Sequence, residues 1–288
     1  AKPPRLYVAG DGPRKNHVAE KEKVKKVREI ATRVDWPCEI KTLFRKDNLG
    51  CKMGVSSAIT WFFEHEEQGI IIEDDCVPNQ DFFTFCEILL DRYSKDKRVS
   101  VITGNNFQNG KWRGDETYYF SRYPHCWGWA TWRRSWKDYD GGIKFWPNWR
   151  NSQAWSNYIP DRVERAYWEK FFDLVYSEQI DSWAFPWTAS IWYKGGLTAI
   201  PNVNLSSNIG FGEDSTHTAN KKSKLSKIPT KTLSKITHPK KVEKNIDAEI
   251  HTFNTVFGGK SLRFPYNWIK FFYSVLIYIF RNIKKILK

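Results

Sequence analysis

No apolar run in this sequence approaches the roughly 20 residues a helix needs to cross a bilayer; the longest, residues 271–280, is about half that. No C-x-x-C pair occurs either. The five cysteines, Cys38, Cys51, Cys76, Cys86 and Cys126, are odd in number and widely spaced. That spacing argues against a zinc ribbon or a dithiol redox site, and for buried free thiols in a reducing compartment. A Gly-rich phosphate loop is missing, and the opening Ala1-Lys2-Pro3-Pro4 lacks the apolar stretch of a secretory signal. Acidic residues are scarce at one end only. The formal net charge is +14, yet residues 221–288 carry 16 Lys/Arg against 3 Asp/Glu, so the first 220 residues are almost neutral. A nucleic-acid-binding domain would carry its basic stripe on the folded body. This distribution reads instead as a balanced body, residues 1–220, with a basic attachment segment, residues 221–288, and no nucleic-acid partner.

What is present excludes wholesale disorder: 288 residues, 41% hydrophobic and 16% aromatic, can bury a core. Through residue 110 strands alternate with helices. Apolar runs at residues 5–10, 39–43, 69–72 and 99–102 read as strands. Helical periodicity covers residues 18–31, where Val24, Val27, Ile30 and Ala31 share a face, and also residues 53–66 and 82–93. Such alternation predicts an α/β fold with a mainly parallel sheet flanked by helices. Ligands of such sheets sit beyond the carboxyl ends of the strands, which places Asp11 and the run Glu73-Asp74-Asp75 at the ligand edge.

Twelve of the 15 tryptophans then fall between Trp112 and Trp192. They either fill the core of a loop-rich half or, in part, present flat faces to a sugar ring. Residues 221–244, rich in Lys, Ser, Thr and Pro, read as a mobile linker or flap. Beyond them, aromatic residues 264–280 end in a basic stretch. That segment is either an interfacial membrane anchor or a helix packed on the body.

Three consecutive acids after a buried strand are the most informative feature. Clustered carboxylates repel, so a neutralising cation is expected; a hard ion such as Mg²⁺ or Mn²⁺ takes one or two carboxylates plus substrate phosphate oxygens. The plain alternative is a solvated acidic turn capping the helix near Phe82.

The segment Gly69-Ile70-Ile71-Ile72-Glu73-Asp74-Asp75-Cys76-Val77-Pro78, with Asp81-Phe82-Phe83, resembles the core motif of GT-A-fold (Rossmann-type) glycosyltransferases. The likeness is to the N-acetylglucosaminyltransferase group and related bacterial sugar-nucleotide transferases. The resemblance implies that Asp75 is the ligand of Mn²⁺ or Mg²⁺, with Glu73 and Asp74 on the ribose or donor sugar. Leu6-Tyr7-Val8-Ala9-Gly10-Asp11-Gly12 resembles the strand whose last Asp reads uracil, and Asn48-Leu49-Gly50 the loop that frames the nucleotide. Tyr123-Pro124-His125-Cys126-Trp127-Gly128-Trp129 resembles the Gly-Trp segment lining the acceptor cleft, and Ile180-Asp181-Ser182-Trp183 the segment supplying the general base, here Asp181. Residues 204–212 with His217 resemble the loop that closes over the diphosphate; His217 either completes the metal shell or is a mobile surface residue. Members of that group carry a strand and helix ahead of the point where this sequence starts, so a first strand–helix unit is expected to be absent here. For Asp181 the alternatives are general base and helix cap.

The implied activity is metal-dependent transfer of a hexosyl or N-acetylhexosaminyl group from a nucleotide sugar, UDP-linked, to a hydroxyl of a glycan or lipid-linked acceptor, with inversion. It would serve polysaccharide biosynthesis on the cytoplasmic face of a membrane, held peripherally through residues 264–288. A protein that keeps this fold without catalysis, binding or scaffolding carbohydrate, is the alternative. Deletion of the tail is expected to leave the body's activity intact and abolish vesicle binding.

Overall fold

The computed structural model describes residues 1–17, 19–212, 223–233, 235–266 and 268. His217 and most of the basic C-terminal stretch therefore lie outside the described residues. The chain opens with β1 (Arg5–Gly10), α1 (Glu20–Ala31), β2 (Glu39–Phe44), α2 (Gly50–His65) and β3 (Gln68–Ile71). Next come β4 (Cys76–Pro78), α3 (Gln80–Arg92), β5 (Val99–Thr103), β6 (Tyr118–Ser121) and β7 (Trp129–Trp132). A helical stretch follows: α4 (Arg133–Trp136), α5 (Trp146–Arg150), α6 (Gln153–Tyr158), α7 (Arg162–Tyr176) and α8 (Ala184–Tyr193). Strands β8 (Leu197–Pro201) and β9 (Ser206–Asn208) and helices α9 (Ile246–Thr255) and α10 (Gly259–Leu262) complete the described elements.

The fold is mixed α/β, with a mixed sheet flanked by helices. Its five-stranded sheet has the order β3-β7-β5-β8-β6, and β1 and β2 form a separate parallel pair. Strands β3, β5 and β8 run one way, β6 and β7 the other, so three of the four pairings are antiparallel. The expected mainly parallel sheet is corrected on this point. Crossover helices make parallel neighbours, and the strand–helix alternation before residue 110 had led to that reading; β6 and β7, from the Trp-rich stretch, pair antiparallel to β8 and to β3 and β5.

Local capping explains several helix starts. Asn79 accepts from Phe82 N at α3, Asp161 from Val163 N and Glu164 N at α7, and Asn245 from Ala248 N at α9. Helix α3 is thus capped by Asn79, not by the acidic run. Helix α1 departs from expectation: its apolar positions are uncovered, with Val27 63% and Ile30 57% exposed. The β1–β2 pair is too narrow to bury them.

Ten of the twelve clustered tryptophans are buried, Trp112 and Trp127 being the exceptions. Most join α7 and α8 in one aromatic core, while α3 packs against the central sheet in a second. The core reading of the tryptophans therefore holds for most of them.

The segment expected to be a linker is docked along the body where it is described. Leu233 N donates to Asp81 Oδ2, Thr117 and Thr237 exchange hydrogen bonds, and Asn245 N donates to Phe120 O. Leu233, Ile236 and Val242 pack on the sheet core, and Phe253 of α9 is buried in the aromatic one. A boundary at residue 220 thus does not separate body from tail; described residues to 262 build the body.

Candidate functional site

The site is organised around the first turn of α2, a helix with no side-chain cap of its own. Two carboxylates from distant parts of the chain take that role. Asp11, just past β1, accepts from Leu49 N through both oxygens at 2.9 Å. Asp181, just before α8, accepts from Cys51 N and Lys52 N, also at 2.9 Å each. The approach needs Gly50: its φ is +77°, and a Cβ there would come within 2.8 Å of Asp181 Oδ2. Asn48 reaches back, donating from Nδ2 to Gly12 O at 3.2 Å. Asp11, Asn48 and Asp181, expected to share a site, are thus brought together. Replacing Asp181 by Ala should cost about 1 kcal/mol in chemical denaturation, as for loss of an N-cap. Asp181→Asn keeps shape and one acceptor and should cost less.

The carboxyl end of β3 delivers the acidic run beside that turn. Asp74 is exposed, whereas Glu73 and Asp75 are partly covered. Burial, then the charges of Asp75 and Asp74, push the Glu73 carboxyl up to about 7. Asp75 lies at the end of the β4–β9 ribbon, where Ile209 N donates to its carbonyl at 2.8 Å. Cys76 Sγ donates to Asp75 Oδ1 at 3.3 Å. A Cβ on Gly210 would fall 2.2 Å from Asp75 Oδ2, so only glycine lets the 209–212 loop lie against this carboxylate.

Two thiols bridge the parts. Cys51 sits near both Glu73 and Asp181, and Cys126 near Glu73, Asp75 and Cys51; burial first, then these charges, raise both thiols. Neither is a thiolate at neutral pH, which argues against thiol nucleophilic chemistry. Beside Cys126, Trp127 is half-buried and packs edge-on against Phe107 and Phe211, with centroids 5.5 Å apart in each pair. The His125 imidazole is buried and pushed down to about 3 by that burial, so it is neutral and packs edge-on against Phe107 at 4.6 Å.

Asn105 was missed by sequence reasoning, although it joins the two walls of the site. Its Nδ2 donates to Trp127 O and Ser206 O, and its Oδ1 accepts from Trp127 N. An Asn-Asn pair after a strand and a glycine reads as a turn and carries no pattern that would single out Asn105. Cys51 and Cys126 were likewise legible only as buried thiols.

Among the described residues no group of three or more His, Cys, Asp or Glu side chains is arranged to hold a divalent ion. A hard ion that takes one or two carboxylates and completes its shell with ligand phosphates needs no such cage. Burial first, and then the charges of Asp75 and Asp74, raise Glu73; an ion would relieve that repulsion, so Asp75 and its neighbours fit it. No family model matches this chain, and no curated protein matches it.

Proposed function

We propose that this protein is a metal-dependent glycosyltransferase of GT-A type. It moves a hexosyl or N-acetylhexosaminyl group from a nucleotide-sugar donor, UDP-linked, to a hydroxyl of a glycan or lipid-linked acceptor. The observation that carries the reading is the meeting of an uncompensated carboxylate cluster, Glu73 and Asp75, with the α2 turn held by Asp11 and Asp181.

Asp75 is the residue to hold Mn²⁺ or Mg²⁺, with Glu73 and Asp74 toward the ribose or donor sugar. When bound, the ion supplies positive charge against the charge developing on a diphosphate leaving group. Asp11 and Asn48 shape the turn that receives the nucleotide. Asp181 takes the acceptor proton as the hydroxyl attacks with inversion. Its two hydrogen bonds to α2 orient the carboxylate, and each oxygen keeps a further lone pair for that proton. Exposed Ile209, opposite Asp75 in the ribbon, and exposed Val77, two residues further along, put apolar surface beside that carboxylate.

A screen of nucleotide sugars with and without Mn²⁺, read by thermal unfolding, tests this. One UDP-sugar is expected to stabilise the protein only with the metal, by about 2.7 kcal/mol at a hundred times its Kd. Absence of any metal-dependent stabilisation overturns the reading. The second reading, a catalytically inactive carbohydrate-binding protein, is favoured by the occupation of both Asp181 oxygens by backbone amides. It predicts glycan binding with no Mn²⁺-dependent UDP binding in calorimetric titration.

A further inference from the structure

We infer that the end of the body around α10 is a docking face for an anionic lipid bilayer, fixed rigidly to the fold. Leu262, Phe264 and Tyr266 leave the body in succession and are all exposed, Phe264 to 76%. Three large apolar side chains in five residues on a surface are costly in water unless something covers them. Their base is immobilised. Gly259 abuts the Phe253 ring of α9, and Arg263 pairs with Asp161 at 2.9 Å while lying over the same ring. Lys260 lies 5.2 Å from the Tyr266 ring centre. Apolar rings thus project beside cations that remain at the surface, the distribution of an interfacial segment.

Charge decides the occupant. Residues 221–288 carry 16 Lys/Arg and 3 Asp/Glu, and residues 269–288 hold five cations with no acid. A second copy would bring together two chains with the same basic excess in residues 221–288, and these repel. Nucleic acid would satisfy the charge but leave the aliphatic and aromatic side chains uncovered. An anionic bilayer satisfies both, at about 1 kcal/mol per cation near its surface. Because residues 246–262 belong to the body, the face is mounted on the fold and holds the protein in one orientation.

The inference does not rest on the glycosyl-transfer reading, since vesicle binding stands or falls whatever the site catalyses. The test is flotation of the full chain with phosphatidylcholine vesicles, with and without about 30 mol% phosphatidylglycerol. The parent is expected to partition about tenfold more strongly to the anionic vesicles, less so as salt rises. The variant F264S should lose several-fold of that partition with its melting temperature unchanged, because this side chain is 76% exposed and already in water. Equal partition of parent and variant overturns the proposal. So does binding of duplex DNA that exceeds vesicle binding at the same salt.

Discussion

Arg122→Met is expected to destabilise the protein by about 3–5 kcal/mol, lowering its melting temperature by on the order of 10 °C. Arg122 follows β6 and is buried with two carboxylates. Its NH2 donates to Glu164 Oε1 at 2.8 Å, its Nε lies 3.5 Å from Glu249 Oε2, and its NH1 donates to Tyr158 O at 2.9 Å. Tyr123 OH also donates to Glu164, and the guanidinium lies 5.6 Å from the ring centres of Tyr123 and Trp192. Burial lowers the Arg122 pKa, but Glu249 and Glu164 outweigh it, so the net shift is upward. Removing the cation leaves two glutamates covered and uncompensated. A triple variant, R122M/E164Q/E249Q, removes the charges together and should recover at least half the loss in urea denaturation. Recovery would assign the cost to unpaired charge; no recovery would assign it to packing of the guanidinium on the rings. Since Glu249 belongs to α9, the same network explains why truncation after residue 220 should unfold the body.

Most elements before residue 110 were legible because their patterns are local: Val99-Ser100-Val101-Ile102 is an apolar β-branched run and residues 82–93 carry a helical period, whereas the short strand β4 and the Asn79 cap were not read. The antiparallel strands β6 and β7 were not legible. Tyr118-Tyr119-Phe120-Ser121 and Trp129-Ala130-Thr131-Trp132 are buried on both faces, so neither shows the alternation that marks a strand. Helix α1 misled in the other direction: its periodicity is real, but no described element covers Val27 and Ile30. At the site, chain order led to Asp11 and the acidic run at one ligand edge. In the fold they follow strands of separate sheets, and Asp11 meets the first turn of α2 while Glu73 lies near its Cys51. Chain order could not show that Asp181, some 130 residues away from Cys51, hydrogen-bonds to its backbone. A residue's partner across the fold leaves no trace in its own neighbours, and for that reason a cap or surface acid remained open beside the base as a reading of Asp181. The docking of residues 223–262 was hidden for a similar reason. Lys, Ser and Thr are typical of linkers, yet backbone groups of this segment pair with β6, with the Thr117 hydroxyl just before it and with the Asp81 carboxylate of α3.

Asp75→Asn is expected to change stability and activity in opposite directions. In the metal-free protein Glu73, Asp74 and Asp75 repel one another, and Asp75 is the largest charge acting on Glu73. Asn keeps the volume and still offers an oxygen to Cys76 Sγ, so nothing is lost in packing while one like charge disappears. The melting temperature should stay level or rise by a degree or two, about 0.5–1 kcal/mol, as expected where function holds carboxylates against their repulsion. Glu73 should titrate nearer the ordinary carboxylate range, because burial and Asp74 alone then hold it up; carboxyl NMR shifts would read this directly. Glycosyl transfer should fall by roughly a hundredfold or more, and Mn²⁺-dependent stabilisation by UDP should vanish, because the carboxylate assigned to the ion is gone. A variant that gains stability and keeps the parent's transfer rate would remove Asp75 from the chemistry and leave the acidic run as a surface turn. A variant that loses both together would make Asp75 a structural residue of the β4–β9 ribbon. Only the divergence of the two measurements identifies a carboxylate kept for a ligand at the expense of the fold.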